Sequence, residues 1–130
     1  LEDTVAAQIA AAGLQVKYEE VRLAYVKPSK PSTYRPDFIL PNGIIVETKG
    51  RFLTEDRQKH KLLQEQHPDL DLRFVFSRSS SRLTKASKTT YADWCRRYGF
   101  RFADARIPPE WFAEPYSEAR WKAIEAATKH

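Results

Sequence analysis

Methionine is absent from all 130 residues, cysteine occurs once and glycine four times. A single cysteine, Cys95, excludes an internal disulfide framework and is the usage expected of a reducing cytoplasm. No apolar run approaches the roughly 20 residues of a membrane-spanning helix, and no charged-then-apolar segment of the signal-peptide kind opens the chain. With Leu1 first and no methionine anywhere, the sequence reads as one that lacks its natural start. The three histidines, His60, His67 and His130, do not have zinc-ligand spacing, and His67 before Pro68 reads as a helix-ending residue. Cys95 has no histidine nearby and reads as core rather than nucleophile.

Positive charge is plentiful. Twenty-two lysines and arginines against 17 acidic residues give a net charge of +5, which favours a polyanionic partner. At 42% hydrophobic and 30% charged residues, the composition is that of a folded domain. The length suits one domain over residues 1–130 with one substantial core.

Periodicity predicts a mixed α/β architecture, a central sheet with helices around it. Leu1, Val5 and Ile9 recur as on a helix that Gly13 ends. Leu14 to Tyr18 and Val21 to Tyr25 alternate as strands, with a change of phase at Glu19–Glu20 that predicts a bulge. Lys27 to Thr33 holds two prolines and reads as a connector that cannot sit inside a sheet. Helices are expected from an N-cap at Thr54 to Gln66, from Thr90 to Tyr98 and after Ser117, with a short turn at Pro108–Trp111 and a strand at Leu72–Phe76. Trp94, Trp111 and Trp121 read as anchors of separate helices rather than platforms for bases.

The chemically informative stretch runs from Arg35 to Lys49, two strands joined through Pro41-Asn42-Gly43. With that three-residue loop, Leu40 faces Ile44, Phe38 faces Val46 and Asp37 faces Glu47. Phe38, Leu40, Ile44 and Val46 then share an apolar face, while Asp37, Glu47 and Lys49 share the other. Two opposed carboxylates repel unless a cation neutralises them, and Mg²⁺ accepts such oxygen ligands together with phosphate oxygens. A lysine beside them can stabilise charge on a phosphate under attack. A solvated strand end explains the same pattern without chemistry. Between Ser77 and Lys88, Arg78, Arg82, Lys85 and Lys88 stand among hydroxyl residues with no acidic residue, a mixture suited to phosphates but also to a flexible solvated loop. Arg57, Lys59 and Lys61 follow on the next helix; Lys59 and Lys61 read as an exposed face balanced by Glu55 and Asp56.

These segments, in this order, resemble the phage endonuclease I family of junction-resolving enzymes within the PD-(D/E)xK nuclease group. The resemblance runs from Leu1-Glu2-Asp3 through Tyr34-Arg35-Pro36-Asp37-Phe38, Leu40-Pro41-Asn42-Gly43 and Val46-Glu47-Thr48-Lys49-Gly50. It continues through Arg57-Gln58-Lys59-His60, Glu65-Gln66-His67-Pro68, Val75-Phe76-Ser77 and Phe102-Ala103-Asp104 to Ile107-Pro108-Pro109-Glu110-Trp111.

The resemblance implies a restriction-endonuclease-like fold, a strand-swapped homodimer bridged by residues 27–33, and a metal-dependent endonuclease acting on four-way junctions and other branched DNA. It implies catalytic roles for Glu2, Asp37, Glu47 and Lys49. Two Mg²⁺ ions per site, replaceable by Mn²⁺, would be held by Glu2, Asp37, Glu47 and the Thr48 carbonyl, with Glu2 supplied by the partner subunit. Arg57, Arg78, Arg82, Lys85 and Lys88 are the expected DNA contacts, and the host cytoplasm is the expected location. The family's basic segment before the first helix has no counterpart in this sequence, and an alanine-rich helix stands where its basic tail would be. A nuclease acting on linear duplex in repair or restriction, and a DNA-binding module with structural carboxylates, remain alternatives.

Overall fold

The computed structural model describes residues 1–27 and 30–128. His130 therefore lies outside the described residues, as do Pro28 and Ser29 of the expected connector. Helix α1 (Glu2–Ala11) leads to β1 (Leu23–Val26), β2 (Pro31–Tyr34), β3 (Phe38–Ile39) and β4 (Ile45–Lys49). There follow α2 (Thr54–Gln66), β5 (Leu72–Phe76), α3 (Tyr91–Tyr98), β6 (Phe102–Asp104), α4 (Pro109–Ala113) and α5 (Glu118–Ala127). The expected α/β class holds, with one four-stranded mixed sheet in the order β3-β4-β5-β6 and a separate β1-β2 pair.

Side-chain alternation along the sheet divides the core into two layers. Phe38, Leu40, Ile44, Val46 and Val75 point to one face, where Val5 and Ile9 of α1, Ile107, and Trp111 of α4 cover them. Ile39, Ile45, Leu72, Phe74 and Phe76 point to the other, under Leu63 of α2, Trp94 and Cys95 of α3, and Ile124 and Ala127 of α5. Burial of β5 on both faces is what a parallel strand between helices requires. The hairpin register is the one read from the sequence: Phe38 pairs with Val46 and Ile39 with Ile45, and Gly43 takes a left-handed φ of +91°.

Four expectations need correction. Leu14–Tyr18 forms no strand; only Lys17 bridges to Ile39, and the chain then turns away at Glu19, whose φ of 52° is where the phase change was seen. Pro31 does enter a sheet, as the first residue of β2, opposite Val26. It is tolerated there because a strand start on a two-stranded edge can omit a donor. The first strand of the Arg35–Lys49 hairpin is shorter than expected, since β2 ends at Tyr34 and β3 covers only Phe38–Ile39. Finally, Leu53 rather than Thr54 is the N-cap of α2, with its amide donating 3.0 Å to Asp56 Oδ2. Thr90 and Ser117 cap α3 and α5 as expected, through bonds to the amides of Asp93 and Arg120. Strand β6 is an element that periodicity did not reveal.

Candidate active site

The carboxylates collect where β3 and β4 run out of apolar residues. Asp37 precedes β3, while Glu47, Thr48 and Lys49 close β4, so one hairpin register brings all four to one edge. Asp37 Oδ2 accepts from the Thr48 amide at 2.9 Å and the Thr48 hydroxyl at 2.7 Å. Glu47 Oε1 accepts from the Asp37 amide at 3.1 Å and from the Tyr34 hydroxyl at 2.5 Å. Each carboxylate is thereby gripped by the backbone of the other's strand.

Glu47 is only 4% exposed. Burial first, and Asp37 second, push its carboxyl up to about 7, against the pull of the Tyr34 hydroxyl, Lys49 and the Asp37 amide. Lys49 Nζ lies 3.6 Å from Glu47 Oε2 and 3.1 Å from Asp56 Oδ1. Burial works to lower its pKa, but Glu47 and then Asp56 more than offset this and raise it. Lys49 is therefore a fixed cation, not a neutral amine.

On the outer side of Asp37, helix α1 delivers Glu2. Carboxylate oxygens of Glu2, Glu19 and Asp37 all lie within 4.8 Å of one another, and the Tyr18 hydroxyl donates to Glu2 Oε1 at 2.5 Å. That bond first, with burial behind it, raises the Tyr18 phenol to about 12. Glu2 and Asp37 thus meet within a single chain. Glu19 was missed by the sequence reading, where it appeared only as the residue at which strand phase changed. Crowded carboxylates with hard oxygen donors and one oxygen-rich rim fit a divalent ion such as Mg²⁺.

Cations frame this edge. Arg78, Arg82, Lys85 and Lys88 are all exposed, on a segment that departs from β5 beside Lys49, with the Ser77 amide donating to the Lys49 carbonyl at 3.3 Å. The segment is tied down rather than loose. Ser79 donates through its amide (2.6 Å) and hydroxyl (2.8 Å) to Asp104, and Arg82 bridges to Thr90. Arg57 is placed differently, with its guanidinium turned back to the Phe52 carbonyl (2.5 Å) and Thr54 Oγ1 (3.0 Å). Lys59, expected on an open helix face, is half-buried with Nζ 5.1 Å from the centre of the Tyr34 ring. Burial, then Lys49, lowers its pKa. A groove of about 550 Å³ bounded by Tyr25, Thr33, Asp56 and Lys59 opens beside it.

The residues set aside keep their bland roles. Cys95 is buried, with its thiol pushed by that burial to about 12, and His67 ends α2 with a ring nitrogen 2.6 Å from the Ala24 carbonyl. Trp94 and Trp111 sit in the two core layers, and Trp121 packs against the first.

Comparison with known proteins identifies the family. The family model described as phage endonuclease I matches residues 1–130. Endonuclease I of Escherichia phage T7 is 51% identical over 125 residues, covering 96% of this chain and 84% of that protein. Endodeoxyribonuclease 1 of Enterobacteria phage T3 is 49% identical over 118 residues, covering 91% and 78% respectively. A full-length family match and two half-identical relatives leave one assignment: the chain belongs to the phage endonuclease I family.

Proposed function

We propose that this chain is a divalent-metal-dependent DNA endonuclease that cuts branched DNA, four-way junctions above all, as a homodimer. The names of both phage relatives support the coarse part, cutting within a nucleic-acid strand, and that of the T3 relative specifies DNA. The observation that carries the chemistry is the joint placement of Asp37, Glu47 and Lys49 on one sheet edge, with Glu2 arriving from α1.

Asp37, Glu47 and Glu2 would hold Mg²⁺ or Mn²⁺, with the Thr48 carbonyl as a further oxygen donor and Glu19 within reach of Glu2 and Asp37. The ion supplies charge neutralisation and Lewis-acid polarisation of the phosphate. The remaining work belongs to the chain. Thr48 fixes Asp37 through two bonds to Oδ2, leaving Oδ1 without a hydrogen bond among the described residues. Lys49 is held as an ammonium, so it offers a proton donor and a positive charge to the phosphate oxygens as negative charge grows on them. The anchored cations from Arg78 to Lys88 grip the backbone on the same side as Lys49, which supports recognition of bent or branched arms.

Cleavage of a synthetic four-way junction and of a linear duplex with the same sequence, each with Mg²⁺ and with EDTA, tests the reading. Metal-dependent cutting that favours the junction by at least ~10-fold is expected. Equal cutting of both substrates would make it a general duplex nuclease, and binding without cutting in any divalent metal would make it a binding module.

A further inference from the structure

Tyr34 ends β2 and is buried, 3% exposed, yet its ring is not ordinary core. Its hydroxyl reaches into the carboxylate cluster and donates to Glu47 Oε1 at 2.5 Å. The Asp37 amide donates to the same oxygen at 3.1 Å. Two donors converge on Oε1, while Oε2 accepts no hydrogen bond among the described residues and has Lys49 Nζ beside it at 3.6 Å. A carboxylate held by one oxygen at two points cannot swing about its terminal torsion, which is otherwise broad.

The ring itself is braced. His60, fully buried, meets it edge-on at 5.0 Å and 86°, and Lys59 Nζ stands 5.1 Å from its centre. Both nitrogens of His60 lack a hydrogen-bond partner among the described residues, so the imidazole acts as a wall and does not compete for the Tyr34 hydroxyl.

We propose that Tyr34 is a positioning residue for the nuclease site: its hydroxyl clamps Glu47 Oε1 so that Oε2 is presented to the metal. The proposal rests on the reading of Glu47 as a metal ligand. Partners that orient a ligating carboxylate are worth about 10- to 100-fold in metal affinity or activity when removed.

Tyr34→Phe keeps the ring, its packing on His60 and the Lys59 contact, and deletes only the donor. Calorimetric titration with Mn²⁺ in the absence of DNA should show affinity weakened by about 10- to 100-fold. The Mg²⁺ concentration for half-maximal cleavage should rise in parallel, while DNA affinity measured in Ca²⁺ stays at the parental value. Tyr91→Phe is the control, because Tyr91 is a buried ring in the same core layer whose hydroxyl makes no side-chain bond among the described residues. It should bind Mn²⁺ like the parent.

A double-mutant cycle with Glu47→Gln separates orientation from general loosening. If Tyr34 acts through Glu47, adding Tyr34→Phe to Glu47→Gln costs little further Mn²⁺ affinity. Additive losses, or a Tyr34→Phe protein that binds Mn²⁺ as tightly as its parent, overturn the proposal. Should Tyr34→Phe fail to fold, 3-fluorotyrosine at position 34 retains ring and hydroxyl but alters donor strength, and an unchanged Mn²⁺ affinity then overturns it instead. A parental protein that binds no Mn²⁺ at all refutes the ligand reading of Glu47, a different failure with a different signature.

Discussion

Lys49 Nζ stands 3.1 Å from Asp56 Oδ1, so the last residue of β4 is tied to the first turn of α2. Asp56 does two things at once, since its other oxygen accepts the Leu53 amide at the helix start. Lys49, the lysine proposed for the chemistry, is thus aimed by a helix cap. Lys49→Ala should lower the cleavage rate by about 100-fold or more, the scale of losing one preorganised donor. DNA affinity in Ca²⁺ should barely change, because one lysine is a small share of the electrostatic footprint. Equal losses in rate and affinity would place Lys49 in the grip instead of the chemistry.

Stability in EDTA should respond to pH through two buried groups of opposite sign. Glu47 is raised from 4.5 to about 7 by burial and Asp37, so its contribution is present below 4.5 and lost as pH rises through about 7. His60 is lowered well below 6.5, first by burial and then by Lys59, so its contribution is lost as pH falls below 6.5. Between 4.5 and 6.5 the folded chain keeps a proton on Glu47 and the unfolded chain carries one on His60, and the two slopes cancel. Glu47→Gln removes one side of this balance. Urea unfolding of that variant should then show stability rising with pH across the window, by up to about 1.4 kcal/mol per unit. Parallel pH profiles for parent and variant would show that Glu47 is ionised in the folded state.

The basic segment should reveal itself through salt. Replacing Arg78, Arg82 and Lys85 together with alanine should weaken DNA binding and flatten the dependence of log affinity on log salt by up to about three counterions. Arg57→Ala should leave that slope nearly unaltered, because its guanidinium is engaged with Phe52 and Thr54. A triple variant with the parental slope would reduce the segment to solvated surface.

Glu2 reaches Asp37 of its own chain, and the β1–β2 hairpin is the covalent crossing between the two segments. Opening that hairpin between two chains would let the same contacts form across a dimer, the usual economy of domain swapping. A mixed dimer of Glu2→Ala and Asp37→Ala chains is then expected to cut, although each parent homodimer is nearly inactive. One of its sites combines both defects and the other has none, so a cruciform plasmid should be mostly nicked. A mixed dimer of verified composition that stays inactive means that Glu2 serves its own subunit.

The site was legible where local period and loop length decide the outcome. Phe38, Leu40, Ile44 and Val46 alternate cleanly around a three-residue loop, and that alone sets Asp37 against Glu47. The rest depends on contacts that no window of sequence contains. Glu19 lies next to Glu2 and Asp37 only because its own positive φ turns the chain at that point. Tyr34 lies just outside the stretch from Arg35 to Lys49, and its bond to Glu47 spans the gap between β2 and β3. Lys59 appeared exposed because helical spacing shows which way a side chain leaves the axis, not what rises to meet it. Strand β6 is short and only partly buried, so its alternation carries little signal.

The turn at Gly43 has a consequence for how the molecule is made. A Cβ there would meet the Cβ of Arg120 at 2.7 Å, and the Trp121 indole donates to the neighbouring Pro41 carbonyl at 2.9 Å. The tip of the hairpin that carries Asp37 and Glu47 is therefore seated on α5, through a contact that spans 80 residues of chain. Synthesis runs from N- to C-terminus, so the hairpin is made well before the helix it rests on, and its tip stays unseated until α5 has followed.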